Sequence, residues 1–126
     1  MFSRIYTSVS RLLSSSSSSQ SPARAMAVKD LVESAIQDNK VTVFSKSYCP
    51  YCKSAKSLLR TNFPGVSVKV FELDELDEGS DIQSYLAEKT GQRTVPNIFI
   101  NKQHIGGNDA VQALHKKAGL APLVNA

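Results

Sequence analysis

The chain has no tryptophan, and only two cysteines and two histidines among 126 residues. Two cysteines three positions apart, Cys49 and Cys52, cannot form the multi-disulfide framework of a small secreted scaffold. They cannot complete a structural zinc site either. Such a site takes four ligands, and the remaining nitrogen donors, His104 and His115, lie in different elements at a spacing unlike a zinc finger. No apolar run approaches the roughly 18 residues of a membrane span. Acidic residues are missing from the start of the chain, the first being Asp30.

That last absence explains the charge. The net charge is +4, yet Arg4, Arg11 and Arg24 precede any acid, so the rest of the chain is close to neutral. The basic balance therefore belongs largely to the leading segment, and it does not argue for a nucleic-acid partner. Residues 1–25 are rich in serine and arginine. On a helix, Phe2, Ile5, Tyr6, Val9, Leu12 and Leu13 fall largely on one face, with Arg4 and Arg11 flanking it. This composition predicts an organellar transit peptide, mitochondrial first and chloroplast second, and not a secretory signal, which would need an uninterrupted apolar stretch. The alternative is a tail that does not pack, given the serine run Ser14–Ser19. Initiation at Met26 would leave a cytoplasmic form, so the segment 26–126 is expected to be the folded domain.

Within that domain the pattern alternates. Val28, Leu31, Val32, Ala35 and Ile36 recur at helical spacing up to Asn39, and Val41–Phe44 reads as a buried strand. A helix follows from Tyr51 to Asn62, with Pro50 in its first turn and Pro64-Gly65 behind it. Val66–Leu73 alternates as a second strand, and the acids from Asp74 to Glu78 predict a solvated loop without the ligand spacing of a calcium loop. A helix spans Ser80–Thr90, with Ile82, Tyr85 and Leu86 inward and Gly91 ending it. Asn97–Ile100 and Gln103–Ile105 form a hairpin around Asn101-Lys102. A last helix, capped by Asn108 or Asp109, runs to about Ala118. Strands flanking a helix should be parallel, with a right-handed crossover. The fold class expected is α/β: a four-stranded mixed sheet flanked by helices.

The chemistry concentrates in Cys49-Pro50-Tyr51-Cys52. A cysteine at a strand-to-helix turn faces free N–H groups and the positive end of the helix dipole, and both favour a thiolate. Lys46 adds a cation. Cys49 is thus the expected nucleophile. Cys52, one turn on and facing the core, is placed to attack a disulfide formed at Cys49. Two purely structural cysteines would need no such placement.

Lys46-Ser-Tyr-Cys-Pro-Tyr-Cys52, Thr94-Val95-Pro96 before Asn97-Ile-Phe-Ile100, and Ile105-Gly-Gly-Asn-Asp109 together resemble the dithiol glutaredoxins of the thioredoxin-like superfamily over nearly all of residues 27–120. Thioredoxins, the near rival, usually carry W-C-G-P-C. The resemblance implies a thioredoxin-like fold and a cis bond before Pro96, with the Val95 backbone beside Cys49. It implies glutathione as reductant. Lys46 and Gln83 would meet its glycine carboxylate, Tyr51 would line the groove, and within the glutathione-binding segment Thr94, Val95 and Pro96 the Val95 backbone would pair with its cysteine unit. The first N–H groups near Asn108 and Asp109 would take its γ-glutamyl carboxylate, as a helix N-terminus suits an anion. The Asp109 side chain would meet the amine, and Arg93 is a second candidate cation. Many members carry Asp where this chain has Ala110.

The implied activity is reduction of protein–glutathione mixed disulfides and protein disulfides, by a monomer, with glutathione reductase restoring the reductant and no metal, nucleic acid or membrane required. The alternative is a glutathione-ligated [2Fe–2S] cluster shared between two chains, since thiolates are the usual cluster ligands. Pro50 departs from the family's habitual cluster-binding motifs.

Overall fold

The computed structural model describes residues 21–126. The leader expectation for residues 1–20 lies outside the described residues. The remainder of the segment read as leader already belongs to helix α1 (Pro22–Asp38). The helix begins before the predicted Val28 because Ser21 caps it, its hydroxyl accepting the Arg24 N–H at 3.1 Å, and Pro22 starts its first turn. The apolar periodicity begins only where the helix meets the core, so periodicity alone places its start too late.

The strands are β1 (Val41–Ser45), β2 (Val68–Glu72), β3 (Asn97–Ile100) and β4 (Gln103–Gly106). They form one mixed sheet in the order β2-β1-β3-β4. β1 and β2 run parallel, with Val41 opposite Val68, and β3 is antiparallel to β1, with Val41 opposite Ile100. β3 and β4 are the predicted hairpin. Its turn residues Asn101 and Lys102 have φ of 51° and 67°, the positive pair that a two-residue hairpin favours.

All five β1 residues are buried, as an interior strand with both faces covered requires. Alternation sends Val41 and Val43, with Ile98 and Ile100 of β3, to one face. There they meet Ala55 and Leu59 of α2 (Pro50–Asn62), Val111 of α4 (Asn108–Lys116), and Leu120 and Val124 of α5 (Leu120–Asn125). Phe44 and Phe99 point the other way. They meet Val28, Val32 and Ile36 of α1 and Ile82 and Leu86 of α3 (Gly79–Thr90). Helix α3 ends as predicted at Gly91, left-handed with φ of 80°.

Four local differences from the sequence reading matter. β2 is shorter than Val66–Leu73, because the Pro64-Gly65 turn runs further and Val66 N–H is used up on Phe63 O. The supposed acidic loop opens with a 3₁₀ turn, Leu73–Glu75, whose Leu73 is buried. A Cβ at Gly79 would lie 1.8 Å from the Leu73 carbonyl oxygen, so glycine is what lets α3 start against this turn. The cap of α4 is Gly107, without a side-chain cap bond, which puts Asn108 and Asp109 inside the first turn. α5 lies beyond the predicted end of the last helix near Ala118: Gly119 is its N-cap residue, Pro122 falls in its first turn, and the burial of Leu120 and Val124 holds it in place.

Candidate active site

β1 delivers the chain to a tight turn. The Cys49 N–H donates to the Lys46 carbonyl at 3.1 Å, and Cys49 then stands as the N-cap residue of α2, with extended backbone and Pro50 in the first helical turn. The Ser47 N–H donates to Asp74 Oδ1 at 2.9 Å, and its hydroxyl donates to Asp74 Oδ2. Both thiols are free. Cys49 is half-buried, whereas Cys52 is fully buried.

The two environments separate the two thiols. Burial acts to raise the Cys49 pKa, but the backbone N–H of Cys52, the Cys52 thiol, the Tyr51 N–H and the Lys56 charge outweigh it, and the thiol lies below its ordinary range. Burial raises the Cys52 thiol, and the neighbouring Cys49 raises it further, against the opposing pull of the Lys46 N–H and the Ser45 hydroxyl. The Lys46 N–H sits 3.5 Å from Cys52 Sγ. The two thiols are thus electrostatically unlike, Cys49 favouring its thiolate and Cys52 its neutral thiol. Lys56 is itself fixed by Glu72 of β2, Nζ to Oε2 at 2.6 Å, and the second Glu72 oxygen is buried without a partner.

The facing wall comes from the other half of the sheet. The Val95–Pro96 bond is cis, and Cys49 Sγ lies 3.9 Å from the Val95 carbonyl oxygen. The Gln92 amide donates to the carbonyls of Thr94 at 3.1 Å and Pro96 at 2.9 Å, and the Gln83 amide donates to Arg93 O at 2.7 Å. Beyond the thiol opens a cavity of about 530 Å³. Tyr51 forms one side of it, the segment Thr94–Pro96 the floor, and the N-terminus of α4 from Gly107 the far end. A small polar molecule with a terminal carboxylate fits such a space, since an anion at a helix N-terminus meets unpaired N–H groups.

The glutaredoxin family model matches residues 41–105. A glutaredoxin of Solanum lycopersicum is 54% identical over 89 residues, which cover 71% of this chain and 81% of that protein. The chain belongs to the glutaredoxin family. Among solved structures, a buckwheat glutaredoxin–glutathione complex superposes with a TM-score of 0.78 at 36% identity, covering 84% of this chain and 94% of that one. The holo form of glutaredoxin C1 from Populus tremula x tremuloides gives 0.73 at 45% identity, covering 79% and 96%. The thioredoxin-like fold expected for a glutaredoxin is therefore the fold observed.

Of the residues that the resemblance singles out, Tyr51, Thr94, Val95, Pro96, Asn108 and Asp109 all line the cavity beside Cys49. Lys46 and Gln83 do not line it. Lys46 lies in the turn before Cys49, and the Gln83 amide is spent on the backbone of the loop that carries Val95. Arg93 is exposed and also outside the lining. Gln92, Gly107 and Ala110 line the cavity without having been assigned a part in it. Gly107 and Ala110 were visible as motif positions. Nothing in the local sequence marks Gln92, whose role depends on a loop folding back over its own side chain. Among the described residues no group of three or more His, Cys, Asp and Glu side chains could hold a metal ion.

Proposed function

We propose that the Cys49 thiolate attacks the glutathione sulfur of a protein–glutathione mixed disulfide, in a chain that is a glutathione-dependent thiol–disulfide oxidoreductase of the dithiol, Cys-Pro-Tyr-Cys type. The observation that carries this reading is the pair of unlike thiols at one helix N-terminus. Cys49 is depressed in pKa, only half-buried and 3.9 Å from the Val95 carbonyl of the segment that lines the cavity, whereas Cys52 is raised and fully buried. In the first step a Cys49–glutathione disulfide forms, the protein–glutathione bond breaks and the protein thiolate leaves. A second glutathione thiolate then attacks that disulfide, and oxidised glutathione departs, returning Cys49 as thiolate. With a protein disulfide as substrate, Cys52 attacks the mixed disulfide at Cys49, its proton passes to the departing thiolate, and a Cys49–Cys52 disulfide remains for glutathione to reduce. Glutaredoxins sit at roughly −200 to −230 mV, within reach of the glutathione pool.

In this reading glutathione lies along the Thr94–Pro96 segment beside Tyr51, its γ-glutamyl carboxylate at the first N–H groups of α4 and its amine at Asp109. Lys46 and Gln83 would meet the glycine carboxylate. For Gln83 that requires its amide oxygen or a change of partner, since its N–H is on Arg93 O.

The test is NADPH oxidation coupled through glutathione reductase, with a small glutathione-forming disulfide as substrate. The chain should be active and Cys49→Ser inactive. An inactive native chain would sink the reading. A coloured dimer with bound glutathione would move the weight to the iron–sulfur alternative. The same reading takes the chain to be a monomer that acts on glutathionylated and disulfide-containing proteins. It assigns the long form to mitochondria, with a cytoplasmic form from Met26. A fluorescent fusion to residues 1–25 that stays cytosolic would remove the mitochondrial assignment.

A further inference from the structure

Asp74 belongs to a stretch whose composition reads as solvated loop, yet its carboxylate takes both donors of Ser47, the N–H at 2.9 Å and the hydroxyl. Ser47 is the second residue of the turn that the Cys49 N–H closes on Lys46 O at 3.1 Å. Asp74 itself sits in the 3₁₀ turn anchored by buried Leu73, under the start of α3 at Gly79. A continuous set of contacts therefore runs from the core, through Asp74 and Ser47, to the turn that presents Cys49. Ser47 is also what holds the Asp74 carboxyl below its usual range, first through the hydroxyl and then through the N–H.

We propose that Asp74 is a positioning residue for the nucleophile: its two bonds to Ser47 hold the Lys46–Cys49 turn so that the Cys49 sulfur stays over the first N–H groups of α2. This rests on the reading of Cys49 as the reactive thiolate. The charged or titratable groups around that sulfur are Cys52 and Lys56 on α2, Lys46 in the turn, Asp74 beyond it and Asp109 across the cavity.

Asp74 acts on the thiolate in two opposed ways. Its negative charge disfavours a second anion nearby, whereas its hold on the turn favours the anion by keeping the α2 amides beneath it. Substitution separates the two. Asp74→Ala removes both effects. Asp74→Asn removes the charge but keeps an acceptor for the Ser47 N–H and a donor for the Ser47 oxygen. The measurement is the rate of iodoacetamide alkylation of Cys49 against pH, in a Cys52→Ser background so that one thiol reacts.

The midpoint should rise in Asp74→Ala and in Ser47→Ala, and should not rise in Asp74→Asn. Thiolate is the attacking species, so below all midpoints a half-unit rise reads as roughly threefold slower alkylation. If both Asp74 variants shift downward, Asp74 acts by charge alone and the proposal is overturned. It is equally overturned if Asp74→Ala leaves the curve in place. Should Asp74→Asn rise together with Asp74→Ala, the Ser47→Ala curve decides: a rise there keeps the anchor, and a native curve removes it. The parent curve tells the two readings apart. A Cys49 that titrates near the free value of about 8.5 defeats the functional reading, whereas a low midpoint that no variant moves defeats only the role of Asp74.

Discussion

The β1–α2–β2 unit and the β3–β4–α4 unit meet at one cavity and contribute different things. The first is built around a parallel pair of strands and supplies both thiols, the Lys56–Glu72 pair and the Ser47–Asp74 anchor. The second is an antiparallel hairpin with its flanking loop, and it supplies the cis-proline segment, Gln92 and the α4 N-terminus. The groups that depress the Cys49 thiol, Cys52, Tyr51 and Lys56, all belong to the first unit, and of the first unit only Tyr51 lines the cavity. On the proposed reading, reactivity and recognition are separable by sequence position. Substitutions in the first unit should alter how fast and at what pH Cys49 reacts. Those in the second should alter how much glutathione is needed.

The sharpest division lies inside the first unit. Cys52→Ser should abolish reduction of a protein disulfide, because in the proposed mechanism the buried thiol resolves the intermediate at Cys49. It should leave most of the turnover of a glutathione mixed disulfide, which in the proposed mechanism needs Cys49 alone. Parallel assays with an insulin-like disulfide and a glutathionylated peptide check this. Equal loss in both would mean that Cys52 supports Cys49 rather than resolving it.

A smaller effect breaks the comparison from the other side. Gln92→Ala removes two bonds that tie the carbonyls of Thr94 and Pro96 to one side chain. At a net worth of about 1 kcal/mol per bond, KM for glutathione should rise by roughly fivefold if one bond matters to the wall and up to roughly thirtyfold if both do. The pH profile of Cys49 alkylation should stay in place. A shifted profile with an unchanged KM would show that the wall reaches the thiol and that the two units are not separable.

How much of this was legible follows the same division. Cys49-Pro50-Tyr51-Cys52 announces itself because a strand, a proline-started helix and a residue pair are all local features, and the structure puts each where the spacing puts it. The β3–β4 hairpin was legible for a like reason, its two-residue turn being coded at Asn101-Lys102. The 3₁₀ turn and Asp74 were not. An acid-rich stretch carries no sign that one of its carboxylates reaches back to Ser47, 27 positions earlier. Gln92 was hidden for the same reason, and so was the start of α1. Its start signals, Ser21 and Pro22, lie beyond the apolar face and beside a serine-rich run, and they were absorbed into the leader. Short-range chemistry is written in residue types, whereas contacts between segments that the fold brings together are written only in the fold.

Two substitutions at the ion pair test the electrostatic part of the first unit with opposite signs. Lys56→Met removes the cation and leaves Glu72 without its partner, so both changes push the Cys49 thiol upward. The alkylation midpoint should move to higher pH by a fraction of a unit, the size expected of a cation already shared with a carboxylate. Glu72→Gln releases the Lys56 charge and should move the midpoint down. The rate at fixed acid pH therefore falls in the first variant and rises in the second, with KM for glutathione unmoved in both. Movement in the same direction would mean that the pair acts through packing of α2 and not through its field.

The smallest effect belongs to neither unit and serves as their common control. A chain beginning at Met26 lacks the Ser21 cap of α1 and the Arg24–Asp81 bridge, Nε to Oδ2 at 2.7 Å. A lost N-cap costs about 1 kcal/mol, and an exposed ion pair adds at most as much again. For a domain of this size, 1 kcal/mol shifts Tm by roughly 4–8 °C. The Met26 form should melt lower than a form beginning at Ser21 by that order. Its turnover, KM and alkylation profile should match, because α1 packs on the sheet face opposite α2 and α4. Calorimetry and the coupled assay on the two forms check this directly. If the shorter form lost activity at a temperature where it is still folded, α1 would have to reach the site through the sheet, and the division between reactivity and recognition would need a third contributor.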